Sequence, residues 1–305
     1  MELKYTATSE DTSLKVKSVL RREFGFSSRF MTKVKFQDLM TINGEKMPLW
    51  VSPKEGDQIV ITLPDEHSDF PEEDIAIYPV YEDEHILVLN KQPYVIVHPT
   101  KGHPIHTIAN GLMKYMRQSG QDFKVRFVNR LDMDTSGLLI VAKHGYAQDR
   151  LSEQMKAGKI RKEYQAIVQG LVEQDEGTID IPIGRPSMDD VRRGVLPLEA
   201  GGQRAITHYQ VLDRFPRGKK KDYTLVQLKL ETGRTHQIRV HMSTLGHPIL
   251  GDELYGGENP NLIARQALHA FKLQFNHPVS GEPITIEAPL PKDIQGALDK
   301  LRAEK

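Results

Sequence analysis

Residues 138–142 read L-L-I-V-A, an unbroken apolar run behind the polar segment R-L-D-M-D-T-S-G at 130–137. A short apolar run bounded by turn chemistry predicts a buried strand. Residues 223–230 alternate apolar and polar, as a half-buried strand should. Gly233 breaks that alternation, and Thr235 is the expected N-cap of a helix carrying Ile238, Val240, Met242 and Leu245. Near the start, Leu14, Val16, Val19, Leu20 and Phe24 share one helical face over residues 13–24, and residues 29–37 predict a second helix. Residues 39–42, 48–51 and 58–63 predict short strands, separated by the turns Asn43-Gly44 and Glu55-Gly56-Asp57.

Further along, residues 85–90 and 94–97 predict a hairpin around Lys91-Gln92-Pro93, residues 105–116 a helix, and residues 126–128 a strand. Residues 146–155 predict a helix, 161–168 a strand, and 178–230 several more strands, with a mobile loop or irregular hairpin over 182–202. Strands and helices mix without strict alternation, which favours an α+β fold with an antiparallel or mixed sheet. The expected organisation is a small α+β module over residues 1–65, an acidic, proline-flanked linker over 66–80, and a larger domain over 81–305.

Composition narrows the classes. The 305 residues include no cysteine, which removes disulfide frameworks and thiolate metal sites. No apolar stretch approaches the roughly 20 residues of a membrane span, and the opening M-E-L-K-Y lacks a secretory pattern, so no membrane association and a cytoplasmic setting are expected. Net charge is zero, yet basic residues cluster at Lys15, Lys17, Arg21 and Arg22, at Arg185, Arg192 and Arg193, and over 219–221. Acids gather over 65–74 and 82–84, so a neutral total can hide a basic face. Any one such cluster is ordinarily solvated surface.

Asp132, at the mouth of the apolar run, is the candidate catalytic carboxylate; the plain alternative is an Asp capping a turn. Arg239 falls inside the expected helix near core positions, and a buried Arg needs a carboxylate partner. Tyr164, in K-E-Y-Q-A at 162–166, is either a core residue or a ring presented to a ligand. His236, His241, His247 and Asp252 invite a metal-hydrolase reading, but His236 and His241 are five apart and do not share a helix face.

Taken together, R-L-D-M-D-T-S-G at 130–137, K-E-Y-Q-A at 162–166, G-R-T-H-Q-I-R-V-H at 233–241, G-H-P-I-L-G-D at 246–252 with Tyr255-Gly256-Gly257, and Leu268-His269-Ala270 with Pro278, Gly281 and Pro289 resemble the RluA-type pseudouridine synthases. The match runs in order from about Tyr81 to Pro291. The helix–helix–strand order of residues 1–65, with T-I-N-G-E and E-G-D-Q-I-V-I, resembles a degenerate S4-type RNA-binding module.

The resemblance implies isomerisation of uridine to pseudouridine in structured RNA, ribosomal RNA first and tRNA second, by a monomer without cofactor or metal. Asp132 would be the carboxylate, attacking covalently or removing a proton. Arg239, ahead of Arg234, would pair with Asp132, and Tyr164 would stack on the base and assist proton transfer at C5. Arg130 would fill the space left by a flipped uridine and contact phosphates, with Arg234 and His236 also on the RNA. Asn129 stands where the family usually has His, which removes any titrating group there. An RNA-binding protein with an inactive synthase domain is the non-enzyme alternative.

Overall fold

The structure is a computed structural model in which residues 1–187, 190–218 and 220–304 are described. Met188 and Asp189 of the 182–202 loop, Lys219 of the basic run, and Lys305 lie outside the described residues.

The chain opens with β1 (Glu2–Thr6), α1 (Val16–Phe24), α2 (Ser28–Phe36), β2 (Met40–Ile42), β3 (Glu45–Lys46) and β4 (Gln58–Thr62). Then come β5 (Pro79–Glu82), β6 (Ile86–Lys91), α3 (Ile108–Ser119), β7 (Arg126–Phe127), β8 (Ser136–Ala142), α4 (Gly145–Lys156), β9 (Arg161–Gln169) and β10 (Glu176–Asp180). The remainder is β11 (Ile183–Gly184), β12 (Gly194–Val195), β13 (Ile206–Phe215), β14 (Tyr223–Leu230), α5 (Gln237–Thr244), β15 (Leu268–Asn276), β16 (Pro283–Glu287) and α6 (Lys292–Ala303).

The strands through β4 form a four-stranded sheet, β1-β4-β2-β3. Helices α1 and α2 pack Val16, Val19, Leu20 and Phe30 against its Ile59 and Ile61. Tyr146 of α4 enters the same cluster and donates its hydroxyl to the Phe24 carbonyl at 2.7 Å, so the small sheet is seated on the rest of the chain.

The large sheet has ten strands, in the order β10-β13-β14-β9-β15-β8-β6-β5, with β16 on β15 and β7 on β8. Its described pairings are antiparallel except β15–β8, which is parallel at His269↔Ser136 and Ala270↔Gly137. This is the expected mixed α+β sheet. The run 138–142 is apolar throughout because β8 is covered on both faces: Leu139 and Val141 join one core with α3 and α6, and Leu138, Ile140 and Ala142 join another with α4. Gly137 adopts φ +116°, and a Cβ there would meet the Ala270 carbonyl oxygen at 2.2 Å; only glycine lets the two strands approach there.

Several expectations fail locally. Strand β1 is not among the expected strands, although E-L-K-Y-T alternates, and it completes the small sheet along β4 with Leu3 inward. Residues 48–51 form a turn, not a strand. No hairpin forms at residues 91–97: Tyr94 takes φ +67°, and Ile96 makes only an isolated bridge to Thr107. The helix expected at 105–116 starts at Ile108, because Thr107 and Asn110 cap it reciprocally.

The acidic segment 66–80 is held against the body of the protein. Glu66 pairs with Arg126 at 2.5 Å and Lys33 at 3.2 Å, Glu72 pairs with Arg117 at 2.7 Å, and Phe70 packs on the core. The prolines and acids that resemble a free tether instead match cations waiting on α2, α3 and β7.

Candidate active site

The loop before β8 is fixed from several sides. Asn129 extends the β7–β8 ladder with its side chain: its Oδ1 accepts from Ile140 N at 2.8 Å and its Nδ2 donates to the Leu138 carbonyl at 3.1 Å. Asn129 is therefore a structural pin, and it uses both a donor and an acceptor. Past it, Thr135 N donates to the Asp132 carbonyl at 3.1 Å, closing a turn that presents the Asp132 carboxylate.

Two buried cations grip the loop backbone. Lys91 donates to the carbonyls of Gln92, Val95 and Met133, each at 2.8 Å. Burial pushes its ammonium down to about 7, with Asp134 opposing. Arg265, almost fully buried, donates to the Asp134 carbonyl at 2.8 Å and to Ser136 Oγ at 3.3 Å, and is anchored on Asp293 at 2.6 and 2.9 Å.

The second wall is the turn from β14 into α5. Gln237 organises it: its Oε1 accepts from Thr232 Oγ1 at 2.8 Å and Arg234 N at 3.0 Å, while its Nε2 reaches the Ile206 carbonyl at 2.9 Å. The helix cap falls on His236, in the left-handed region at φ +56°, and not on the expected Thr235. Thr235 instead accepts from Arg130 Nη2 at 2.7 Å, which ties the two walls together.

Arg239 meets Asp132 at 3.3 Å, as expected of this pair, but its principal partner is Asp252. Asp252, fully buried, binds it bidentately at 2.7 and 2.8 Å and also accepts from the backbone of Leu254 and Tyr255. The Tyr255 ring lies 5.0 Å from the guanidinium. Burial works against the Arg239 charge, but the bonds and charge of Asp252, with Asp132 adding, hold it firmly protonated. Asp252 thus fixes Arg239, and Arg239 in turn presents a cation to Asp132.

His236 Nε2 stands 3.9 Å from Asp132 Oδ2, and its Nδ1 is 3.0 Å from the Tyr255 hydroxyl. Burial pushes its pKa down, against the pull of Asp132, so the ring is neutral at pH 7. Tyr164 is buried on β9 and lines the same cleft, with its pKa raised by burial and by the Asp132 charge. Its hydroxyl keeps its proton at neutral pH, so it serves as a donor or a ring face, not as a ready base. Arg234 reaches the mouth, with Nε on the Arg204 carbonyl at 3.0 Å.

The metal reading finds no geometry among the described residues. His241 bonds Thr207 and the Ile181 carbonyl, His247 bonds the Gln169 carbonyl, and Asp252 is committed to Arg239. No group of three His, Cys, Asp or Glu converges there as a metal site.

Asp132 opens into a cleft of about 1490 Å³ whose rim includes Arg29, Lys33 and Phe36 of α2. Nine Lys or Arg line it against four Asp or Glu, so the electrically neutral chain concentrates positive charge here.

This fold and site have known counterparts. The RNA pseudouridylate synthase family model matches residues 85–244. The Bacillus subtilis protein named "Uncharacterized RNA pseudouridine synthase YjbO" is 45% identical over 276 residues, spanning 89% of this chain and 94% of its own length. The Ribosomal large subunit pseudouridine synthase D of Haemophilus ducreyi is 38% identical over 263 residues, spanning 82% of this chain and 78% of its own. The solved structure of Human RNA Pseudouridylate Synthase Domain Containing 1 superposes with TM-score 0.58 at 28% identity, over 76% of this chain and 97% of that one. The chain belongs to the RNA pseudouridylate synthase family.

Proposed function

We propose that this protein isomerises uridine to pseudouridine in structured RNA, large-subunit ribosomal RNA in particular, with Asp132 as the catalytic carboxylate. The observation that carries the reading is Asp132 in a basic cleft, facing the fixed Arg239 guanidinium at 3.3 Å. The reaction breaks the C1′–N1 bond, turns the base, and joins C1′ to C5. N1 gains a proton and C5 loses one, so the net change is an isomerisation that balances without cofactor or metal. Asp132 acts at the sugar, by attack or by proton removal, while Arg239 orients it. Tyr164 offers its ring to the base, and its protonated hydroxyl is available as a donor. Arg130, exposed at the mouth, is suited to fill the stack that the flipped uridine leaves and to contact phosphates with its guanidinium, with Arg234 and His236 beside it.

Ribosomal RNA is favoured over tRNA because several similar proteins carry the name Ribosomal large subunit pseudouridine synthase D. In the same reading, residues 1–65 are an RNA-binding module of S4 type, 66–80 a connecting strap and 81–305 the catalytic domain. Support for the first comes from α2, whose Arg29 lies on the rim of the cleft. The protein acts as a cytoplasmic monomer; no described helix is long and apolar enough to cross a membrane. The test is Asp132→Ala: pseudouridine in unmodified ribosomal RNA transcripts disappears while the RNA still binds. Residual modification would remove Asp132 from its role, and a wild-type protein that binds but never modifies RNA would favour an inactive RNA-binding domain.

A further inference from the structure

Lys162 begins the K-E-Y-Q-A strand, paired opposite Leu230 at the end of β14. Its residue is only 8% exposed, yet its ammonium makes no hydrogen bond or ion pair among the described residues. Most of the side chain is buried while Nζ borders the cleft, so a largely desolvated ammonium is left to water without a protein partner among the described residues, at a cost. Its neighbours make the cost larger. A Cβ on Gly233 would lie 3.2 Å from Lys162 Nζ, so the ammonium faces the bare backbone of the β14–α5 turn. Arg234 follows directly, and Arg130 is tied to Thr235 one residue beyond. Burial first, then the charges of Arg130 and Arg234, push the Lys162 pKa down. The acid nearest along the chain, Glu163, is turned to Gln227 at 2.7 Å, and Glu231 is turned to His208 at 2.7 Å. Three cations therefore line the cleft, and none of the three is paired with a carboxylate among the described residues.

We propose that Lys162, Arg130 and Arg234 form a preformed anion hole that takes one backbone phosphodiester of the substrate RNA next to the flipped uridine. The inference rests on the RNA-modifying reading above and adds a residue and a contact to it. A phosphate would supply the counter-charge that the fold withholds, and would accept from an ammonium and two guanidiniums at once. Without RNA the hole is electrostatically frustrated; with RNA it is satisfied. Lys162 is thus a binding and positioning group that fixes the register of the strand relative to Asp132.

The probe is in vitro transcribed large-subunit ribosomal RNA, free of pseudouridine, titrated with protein across 50–200 mM salt, a range over which phosphate contacts change affinity strongly. In an Asp132→Ala background, Lys162→Gln should lower affinity and reduce the slope of log K against log salt by about 1, the loss of one phosphate contact. Lys162→Arg should restore the slope. Without RNA, Lys162→Gln should melt at a higher temperature than wild type, because it removes a repelled charge. An unchanged salt slope, or a lower melting temperature with no change in slope, would overturn the phosphate hole in favour of a structural lysine. The two readings fail separately: an unchanged slope with normal pseudouridine formation by otherwise wild-type protein sinks only the hole. A reduced slope with no pseudouridine formed by the wild-type protein sinks only the enzymatic reading.

Discussion

The floor of the cleft and its mouth treat positive charge in opposite ways. On the floor, Arg239 is matched to Asp252 and Asp132, and behind the floor the buried Arg265 is matched to Asp293. At the mouth, among the described residues, Arg130 and Arg234 bind neutral oxygens, on Thr235 and Arg204, and Lys162 binds none. Paired cations are preorganised and already spend their charge inside the protein. Unpaired ones retain their attraction for a partner that arrives from solution. In the proposed reading the difference separates groups that shape the reaction from groups that hold the polyanion, and it turns on carboxylates, not on the cations themselves.

The comparison breaks most severely at Asp252. Asp252→Ala strands Arg239 beside a single carboxylate and should destabilise the fold by about 3–5 kcal/mol, read by denaturant titration, with pseudouridine formation falling at the same time. RNA affinity measured on protein still folded at low temperature should change little, since the mouth is untouched. Equal losses of affinity and activity would show that floor and mouth are not separable.

Acid sharpens the same contrast. His269 contacts Ser136 Oγ at 3.0 Å, and burial pushes its pKa down to about 4. A base depressed in the folded state takes up protons more readily when unfolded. Its contribution is therefore intact above about 6.5 and is lost as pH falls toward 4, about 3 kcal/mol by the bottom of that window. Guanidinium groups stay charged across the range. Melting temperature should fall between pH 6.5 and 4 while RNA affinity at pH 5.5 holds; a flat melting temperature would remove His269 from this account.

A smaller loss is expected at Lys91. Lys91→Met leaves three carbonyls without their donor, one of them Met133 in the loop that bears Asp132, and should cost roughly 2 kcal/mol or more. The loosened loop should lower kcat more than it raises KM, measured by steady-state kinetics. The smallest effect on the fold belongs to Arg234→Ala at the exposed mouth, within about 0.5 kcal/mol of wild type. Its signature is instead a salt slope reduced by about 1.

The sequence exposes the mixed sheet, the unbroken β8 strand and the residues Asp132, Tyr164 and Arg239, because each is set by local pattern or lies in a contiguous motif. It hides the partners. Asp252 invites a metal reading, since spacing alone does not say which cation a carboxylate will meet after folding. Lys91 and Arg265 hold the loop through backbone carbonyls, and a carbonyl leaves no trace in side-chain composition. The hairpin expected at 91–97 fails for the same reason. Its apolar residues suit a strand, but the Lys91 ammonium gathers the carbonyls of Gln92 and Val95 and curls the segment, with Tyr94 in the left-handed region. The acidic strap misleads through composition, since its acids answer cations far along the chain.

The parallel pairing of β8 with β15 carries a consequence for how the protein comes into being. Asp134 is gripped by Arg265, 131 positions later, and Ser136 by His269, 133 positions later, and Arg265 itself leans on Asp293. During synthesis the loop bearing Asp132 is made long before the groups that give it shape, so contacts of long sequence separation must wait for nearly the whole chain. A growing polypeptide can complete the small N-terminal sheet early, from residues 2–62, but the Arg265 that grips the Asp132 loop has no anchor until residue 293 has left the ribosome. The setting of Asp132 is thereby timed to synthesis: its loop takes its final shape only once Arg265 and then Asp293 of α6 have been made.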